Sequence, residues 1–104
     1  MSAVAMVSIW RPRDGKLQEF QTNVAKAKKI QERLGGKVRV WQSSFGGQPL
    51  SVVYVIEVGS WKAFGEFGEK IQTDPEWQKF WTEAQSHPSA DQLQSSVISE
   101  APGL

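Results

Sequence analysis

Two stretches of this chain, residues 3–11 and 50–58, are apolar on both faces of an extended strand. In the first, Val4, Met6, Ser8 and Trp10 alternate with Ala3, Ala5, Val7, Ile9 and Arg11. In the second, Leu50, Val52, Tyr54, Ile56 and Val58 alternate with Ser51, Val53, Val55 and Glu57. Successive side chains on a strand point to opposite faces. A sheet with these strands at its centre must therefore be covered on both sides.

The remaining segments supply two strands of edge character and three helices. Pro12-Arg13-Asp14-Gly15 breaks the first strand, and Asp14 is the expected N-cap of a helix reaching about Leu34. That helix places Leu17, Phe20, Val24, Ala27 and Leu34 on one face, with Ile30 beside it. Gly35-Gly36 ends it, where a left-handed residue carries no Cβ penalty. Residues 37–45 read as a second strand, and Gly46-Gly47-Gln48-Pro49 as the turn into the third. Ser60 caps a second helix carrying Trp61, Phe64, Phe67 and Ile71. Gly65 and Gly68 weaken that helix by about 1 kcal/mol each relative to Ala. Asp74-Pro75 opens another helix, with Asp at the N-cap and Pro at the first helical position. It presents Trp77, Phe80, Trp81 and Ala84 at i, i+3, i+4 and i+7, and ends near Ser86 because Pro88 disfavours helix at His87. Residues 93–99 read as the last strand.

A β-α-β-β-α-β order with right-handed crossovers puts the first and third strands at the centre. The expected fold is α+β: a ferredoxin-like single domain over residues 1–104, with a four-stranded antiparallel sheet in the order 4-1-3-2. The helices suffice for one face. The other exposes Val53, Val55 and part of the first strand, and monomers seldom leave a large apolar patch open. A second copy is the expected cover, giving a homodimer with sheets packed face to face through Val53 and Val55.

A chain of 104 residues buries roughly 65% of its unfolded surface and needs no covalent staple. Cysteine is absent, which excludes disulfides, thiolate metal sites and a cysteine nucleophile. The opening residues show no basic segment, and their apolar run is too short to span a bilayer. A cytoplasmic protein with no membrane partner is the expectation. Residues 1–40 carry nine Lys/Arg against three acids, and residues 41–104 three against eight. The halves can pair within the fold or across a dimer, or form an ordinary solvated surface.

The plan of the whole chain resembles the dimeric α/β-barrel superfamily of ferredoxin-like proteins, near its NIPSNAP-like and antibiotic-biosynthesis-monooxygenase-like small members. The local pieces that carry the resemblance are Glu57-Val58-Gly59-Ser60-Trp61-Lys62-Ala63-Phe64 and the helix opened by Asp74-Pro75. The resemblance implies a dimer and a cavity between sheet and helices. It leaves the chemistry open, because the superfamily holds cofactor-free monooxygenases, haem-degrading enzymes, isomerases, dye-type peroxidases and members without assigned activity. Its haem-degrading members carry an axial histidine on the helix resembling residues 76–86, where this chain has Phe80 and Trp81. They also use an asparagine near the first strand, whereas Asn23 here lies on the first helix. Neither residue is matched, and no cofactor is expected.

The candidate ligand-pocket residues are Ser8, Trp10, Gln42, Tyr54, Trp61, Trp81 and His87. Ser8, Gln42, Tyr54 and Ser95 fall on strand faces that can all point at the helices, with Tyr54 as donor or weak acid and Ser8 and Gln42 as orienting groups. The same residues also fit a buried polar network. The five tryptophans fit either a pocket for a flat apolar molecule or the core and dimer interface. His87, the sole histidine, fits a general base or a surface residue beyond the helix. Glu83, His87 and Asp91 are spaced by four, but Pro88 breaks the helix they would need, so no metal site is expected. Lys26, Lys29 and Arg33 align on the first helix, but Glu19 and Glu32 interrupt them and no nucleic-acid motif is present. Arg11 and Arg39 fit a carboxylate partner or surface ion pairs. Two readings follow: a binding protein for a small apolar or aromatic compound, or a cofactor-independent monooxygenase or isomerase acting on an aromatic or polyketide-like substrate.

Overall fold

A computed structural model describes residues 2–47 and 50–104. The elements run β1 (Val4–Pro12), α1 (Leu17–Arg33), β2 (Lys37–Gln42), β3 (Val52–Val58), α2 (Trp61–Thr73), α3 (Pro75–Ser86) and β4 (Ala90–Ser99). The sheet has the order β2-β3-β1-β4. Every neighbouring pair is antiparallel, so this is the expected ferredoxin-like α+β sheet with β1 and β3 at its centre.

Local chemistry sets most of the boundaries. Leu34 caps α1, and Gly35 takes φ +106° beyond it. The Gly36 N–H then donates to the Gln31 carbonyl at 2.9 Å, and the Gly35 N–H to that of Glu32 at 3.2 Å. These two bonds close a Schellman motif and satisfy carbonyls the helix leaves open. Ser60 Oγ accepts the Ala63 N–H at 3.1 Å and so caps α2. Asp74 both ends α2 and caps α3, accepting the Trp77 N–H at 2.9 Å, with Pro75 directly behind it.

Several expectations are corrected. Asp14 does not cap α1: the N-cap is Lys16, with no side-chain cap hydrogen bond, because Asp14 and Gly15 are spent on a turn closed by Lys16 N–H to the Arg13 carbonyl at 2.9 Å. Leu17 is mostly exposed, since it sits on the first turn of α1, beyond the layer the helix covers. The second strand stops at Gln42 rather than residue 45, although Ser43 N–H still reaches the Ser51 carbonyl at 3.0 Å. The third starts at Val52, since Leu50 turns to φ +60°, outside strand geometry. The last begins at Ala90, three residues earlier than its apolar pattern, because residues 90–92 pair with 10–12 across a register shift at Ile9/Trp10. In the turn after residue 45, Gln48 and Pro49 lie outside the described residues, as does Met1.

The helices pack on the sheet face that carries Val4, Val38, Tyr54, Ile56 and Val58, joined by Phe67 of α2 in one buried cluster. The opposite face carries Val7 and Ile9 of β1 beside Val55 and Val53 of β3, with no helix of the described residues over them. There Trp41 and Ile98 remain 56% and 53% exposed. The result is a slab of 43 × 37 × 17 Å. Its radius of gyration, 14.3 Å, exceeds the roughly 13 Å of a compact domain this long. One sheet and one helix layer make a flat body.

Candidate functional site

Sheet and helices part company under α3. Ser8 and Trp10 of β1 and Tyr54 and Ile56 of β3 form the floor of a partly open cavity of about 260 Å³. Phe20, Val24 and Ala27 of α1 form one wall. Trp77, Phe80 and Trp81 of α3 form another. The aromatic periodicity read from α3 has a direct consequence here: the stripe lines the cavity, and α3 contains no buried residue. Trp77 and Trp81 stack with centroids 5.6 Å apart and planes 15° off parallel. Phe80 leans on Trp77 at 5.3 Å. Such a flat aromatic wall suits the face of a planar molecule.

Polar groups of the floor and of the α1 wall are hydrogen-bonded in pairs. Tyr54, 8% exposed, donates its hydroxyl hydrogen to Gln31 Oε1, and Gln31 is itself 6% exposed. Trp10 Nε1–H donates to Ser8 Oγ at 2.8 Å. Asn23 Nδ2 approaches Ser89 Oγ at 3.4 Å. Burial, with the Glu32 carboxylate adding to it, drives the Tyr54 phenol well above its ordinary range. Tyr54 is therefore a neutral donor at any physiological pH. It is also the sole titratable side chain on the cavity wall among the described residues.

Of the residues singled out in the sequence, the cavity brings together Ser8, Trp10, Tyr54 and Trp81. Three stand elsewhere. Gln42 is exposed at the end of β2, beyond the helices. Trp61, on the outer side of α2, is exposed and meets Phe64 edge-on at 5.7 Å. Exposed His87 caps α3 through its backbone N–H and lines a smaller charged recess with Glu19, Lys26 and Glu83. Among the described residues no cluster of three or more His, Asp or Glu side chains could hold a metal ion. Gln31 is the residue the sequence reading passed over. Its signal was present: Phe20, Val24, Ala27 and Gln31 share one helical stripe, and a lone amide in such a stripe needs a partner. Gly65 and Gly68 do not shape the cavity; the space arises where α3 stands off the sheet.

α3 is held from outside. Arg33, at the end of α1, places Nη2 at 2.9 Å from both Asp74 oxygens and at 2.9 Å from Glu76 Oε1. The Trp77 N–H and this guanidinium keep the Asp74 carboxyl below its usual range. Lys26, Lys29 and Arg33 therefore do not act as one free basic stripe. Arg13 similarly holds Asp91 at 2.8 Å.

No protein-family model matches the chain, and no curated protein does. Solved structures do. A NIPSNAP family protein from Agrobacterium tumefaciens is 22% identical, with a TM-score of 0.72 over 96% of this chain and 85% of that one. An uncharacterized NIPSNAP domain protein from Burkholderia xenovorans is 19% identical, with a TM-score of 0.72 over 95% and 93%. A protein of unknown function from Bacteroides thetaiotaomicron, described as a possible oxidoreductase, is 7% identical, with a TM-score of 0.68 over 95% and 98%. The chain thus has the ferredoxin-like fold of NIPSNAP proteins, as the sequence resemblance implied; at these identities the likeness is one of fold.

Proposed function

We propose that this protein binds a small, flat, apolar or aromatic compound in the cavity between the sheet and α3. The observation that carries the reading is the join of an aromatic wall, Trp77 and Trp81, to a polar floor at Tyr54 and Gln31. Apolar walls with few convergent polar groups are the usual character of a small-molecule site. The alternative, a cofactor-independent monooxygenase or isomerase, has weaker support. Acid–base chemistry needs a group titrating near neutrality, and Tyr54 is held protonated by burial. Naphthalene titrated into the protein should quench its tryptophan emission, and Ala27→Phe, which fills the cavity, should abolish the effect. Emission of the wild type unmoved up to the solubility of naphthalene would sink the reading.

The working form in this proposal is a cytoplasmic homodimer. A flat slab with Val7, Ile9, Val53 and Val55 uncovered supports it, and a second sheet is the cover that matches such a surface. The face is rimmed by both signs of charge, Arg11, Lys37 and Arg39 with Glu57 and Asp91, so two copies can meet without like-charge repulsion. Sedimentation should give a dimer at micromolar concentration, and Val53→Asp or Val55→Asp a monomer, because each places an unpaired charge in a dry contact. A wild-type monomer would remove the assembly.

A further inference from the structure

The floor of the cavity is built from groups whose hydrogens are only partly used. An indole N–H can only donate, and Trp10 spends its hydrogen on Ser8 Oγ. The Ser8 hydroxyl hydrogen then has no acceptor among the described residues. Tyr54 spends its own on Gln31 Oε1, which leaves the Gln31 amide with two N–H groups and no acceptor. That side chain is 6% exposed, yet no polar side-chain atom among the described residues is sealed from solvent without a partner. The Gln31 amide nitrogen therefore keeps some accessible surface, and Gln31 lines the cavity. Ser89, buried beside the same space, accepts from Asn23 and keeps its hydroxyl hydrogen. Unspent donors thus line the cavity, and no charged side chain lines it among the described residues.

We propose that the cavity selects neutral carbonyl compounds, flat ketones, quinones or esters, by giving their oxygen the Gln31 amide hydrogen, with Ser8, paired across the strands with Tyr54, as a further donor. This rests on the binding reading above. A carbonyl oxygen offers two lone pairs and no hydrogen, which complements a donor-rich floor. A carboxylate offers more lone pairs but leaves water with no cation to meet it, and that desolvation is costly. A plain hydrocarbon strands the donors without partners.

Three compounds with one skeleton separate these cases: 2-acetylnaphthalene, 2-ethylnaphthalene and 2-naphthoate, each titrated into the full chain at neutral pH. Binding is read from shifts of the tryptophan indole resonances. The ketone should bind roughly three- to tenfold more tightly than the hydrocarbon, as one net hydrogen bond allows, and the carboxylate most weakly. Gln31→Met combined with Tyr54→Phe, which removes the amide hydrogens together with the phenol hydrogen that the first change alone would release, should reduce the ketone's advantage while leaving the hydrocarbon's affinity in place. Hydrocarbon binding as tight as the ketone, or naphthoate binding tightest, overturns the selection while the binding reading stands. If none of the three compounds shifts any indole resonance, both fall together.

Discussion

One face of one sheet is closed in two different ways. Toward the Gly36 end, α1 and α2 meet the strands without a gap: Val4, Val38, Ile56, Val58 and Phe67 are all buried together. Toward the Trp10 end, α3 stands off and leaves the cavity. The closed half depends on an absent side chain. A Cβ on Gly36 would lie 2.7 Å from Ile56 Cγ2 and 3.0 Å from Phe67 Cε1. The open half depends on large side chains that cannot close together over the floor. Stability and binding are thus assigned to neighbouring regions of one layer, with Tyr54 and Ile56 of β3 on the border between them.

The largest effect that tests this division comes from the closed half. Phe67→Ala empties a packed site and should destabilise the fold by about 3–5 kcal/mol. Trp81→Ala, although the side chain is as large, should cost under about 1.5 kcal/mol, the range of a stacked aromatic pair, while abolishing compound binding. Urea denaturation of both variants decides the matter. Equal losses would mean that the cavity wall is part of the core. Next in size is Gly36→Ala, an overpacking change that should cost about 1–3 kcal/mol, seen as a lower thermal midpoint. An unchanged midpoint would mean that α2 retreats freely and that the closed half is not close-packed.

The smallest effect concerns the outer anchor of α3. The Trp77 N–H and Arg33 hold the Asp74 carboxyl below its unfolded value. Its contribution to stability is therefore present above the unfolded value and lost as pH falls through the folded one. Acid titration of the thermal midpoint should be shallower below about pH 4 in Asp74→Asn, which keeps the cap oxygen but loses the charge. The difference should shrink with added salt, because the Arg33 pair is exposed on its guanidinium side. Identical acid profiles would assign the anchoring of α3 to the cap alone.

The closed half was legible in the sequence, and the open half only in part. Ser60, Asp74 and Pro75 announce helix starts through side-chain chemistry that acts within three or four residues, and the doubly apolar strands fix the sheet order. Asp14 sent the same kind of signal and was misleading, because Arg13 to Lys16 close a turn instead. The start of β4 was hidden because Ala90, Asp91 and Gln92 alternate in no apolar pattern; backbone pairing with β1 alone makes them strand. Ser8, Trp10, Tyr54 and Trp81 were reachable by face arithmetic. Gln42 obeys the same arithmetic but sits past the end of the cavity, and position along an element is not encoded in its period; Trp61 lies on α2, which does not line the cavity. Gln31 was legible as an amide in an apolar stripe, but its partner Tyr54 lies 23 residues away, and the pairing needs the fold.

The register shift in β4 bears on how the protein stays a discrete particle. A long, straight edge strand is a template on which further chains can add, and aggregation begins there. β4 is the sheet's edge and carries Val97 and Ile98 half exposed. The irregularity opposite Ile9 and Trp10 interrupts that edge, so the straight ladder available to an incoming strand is confined to residues 94–99. The opposite edge, β2, is guarded by Lys37 and Arg39. Removing Leu93, which the shift leaves without a partner on β1, would straighten the edge and lengthen the template. The cost of that deletion would fall on colloidal behaviour, as fibril or sheet-extended growth, before it appeared in the stability of the folded chain.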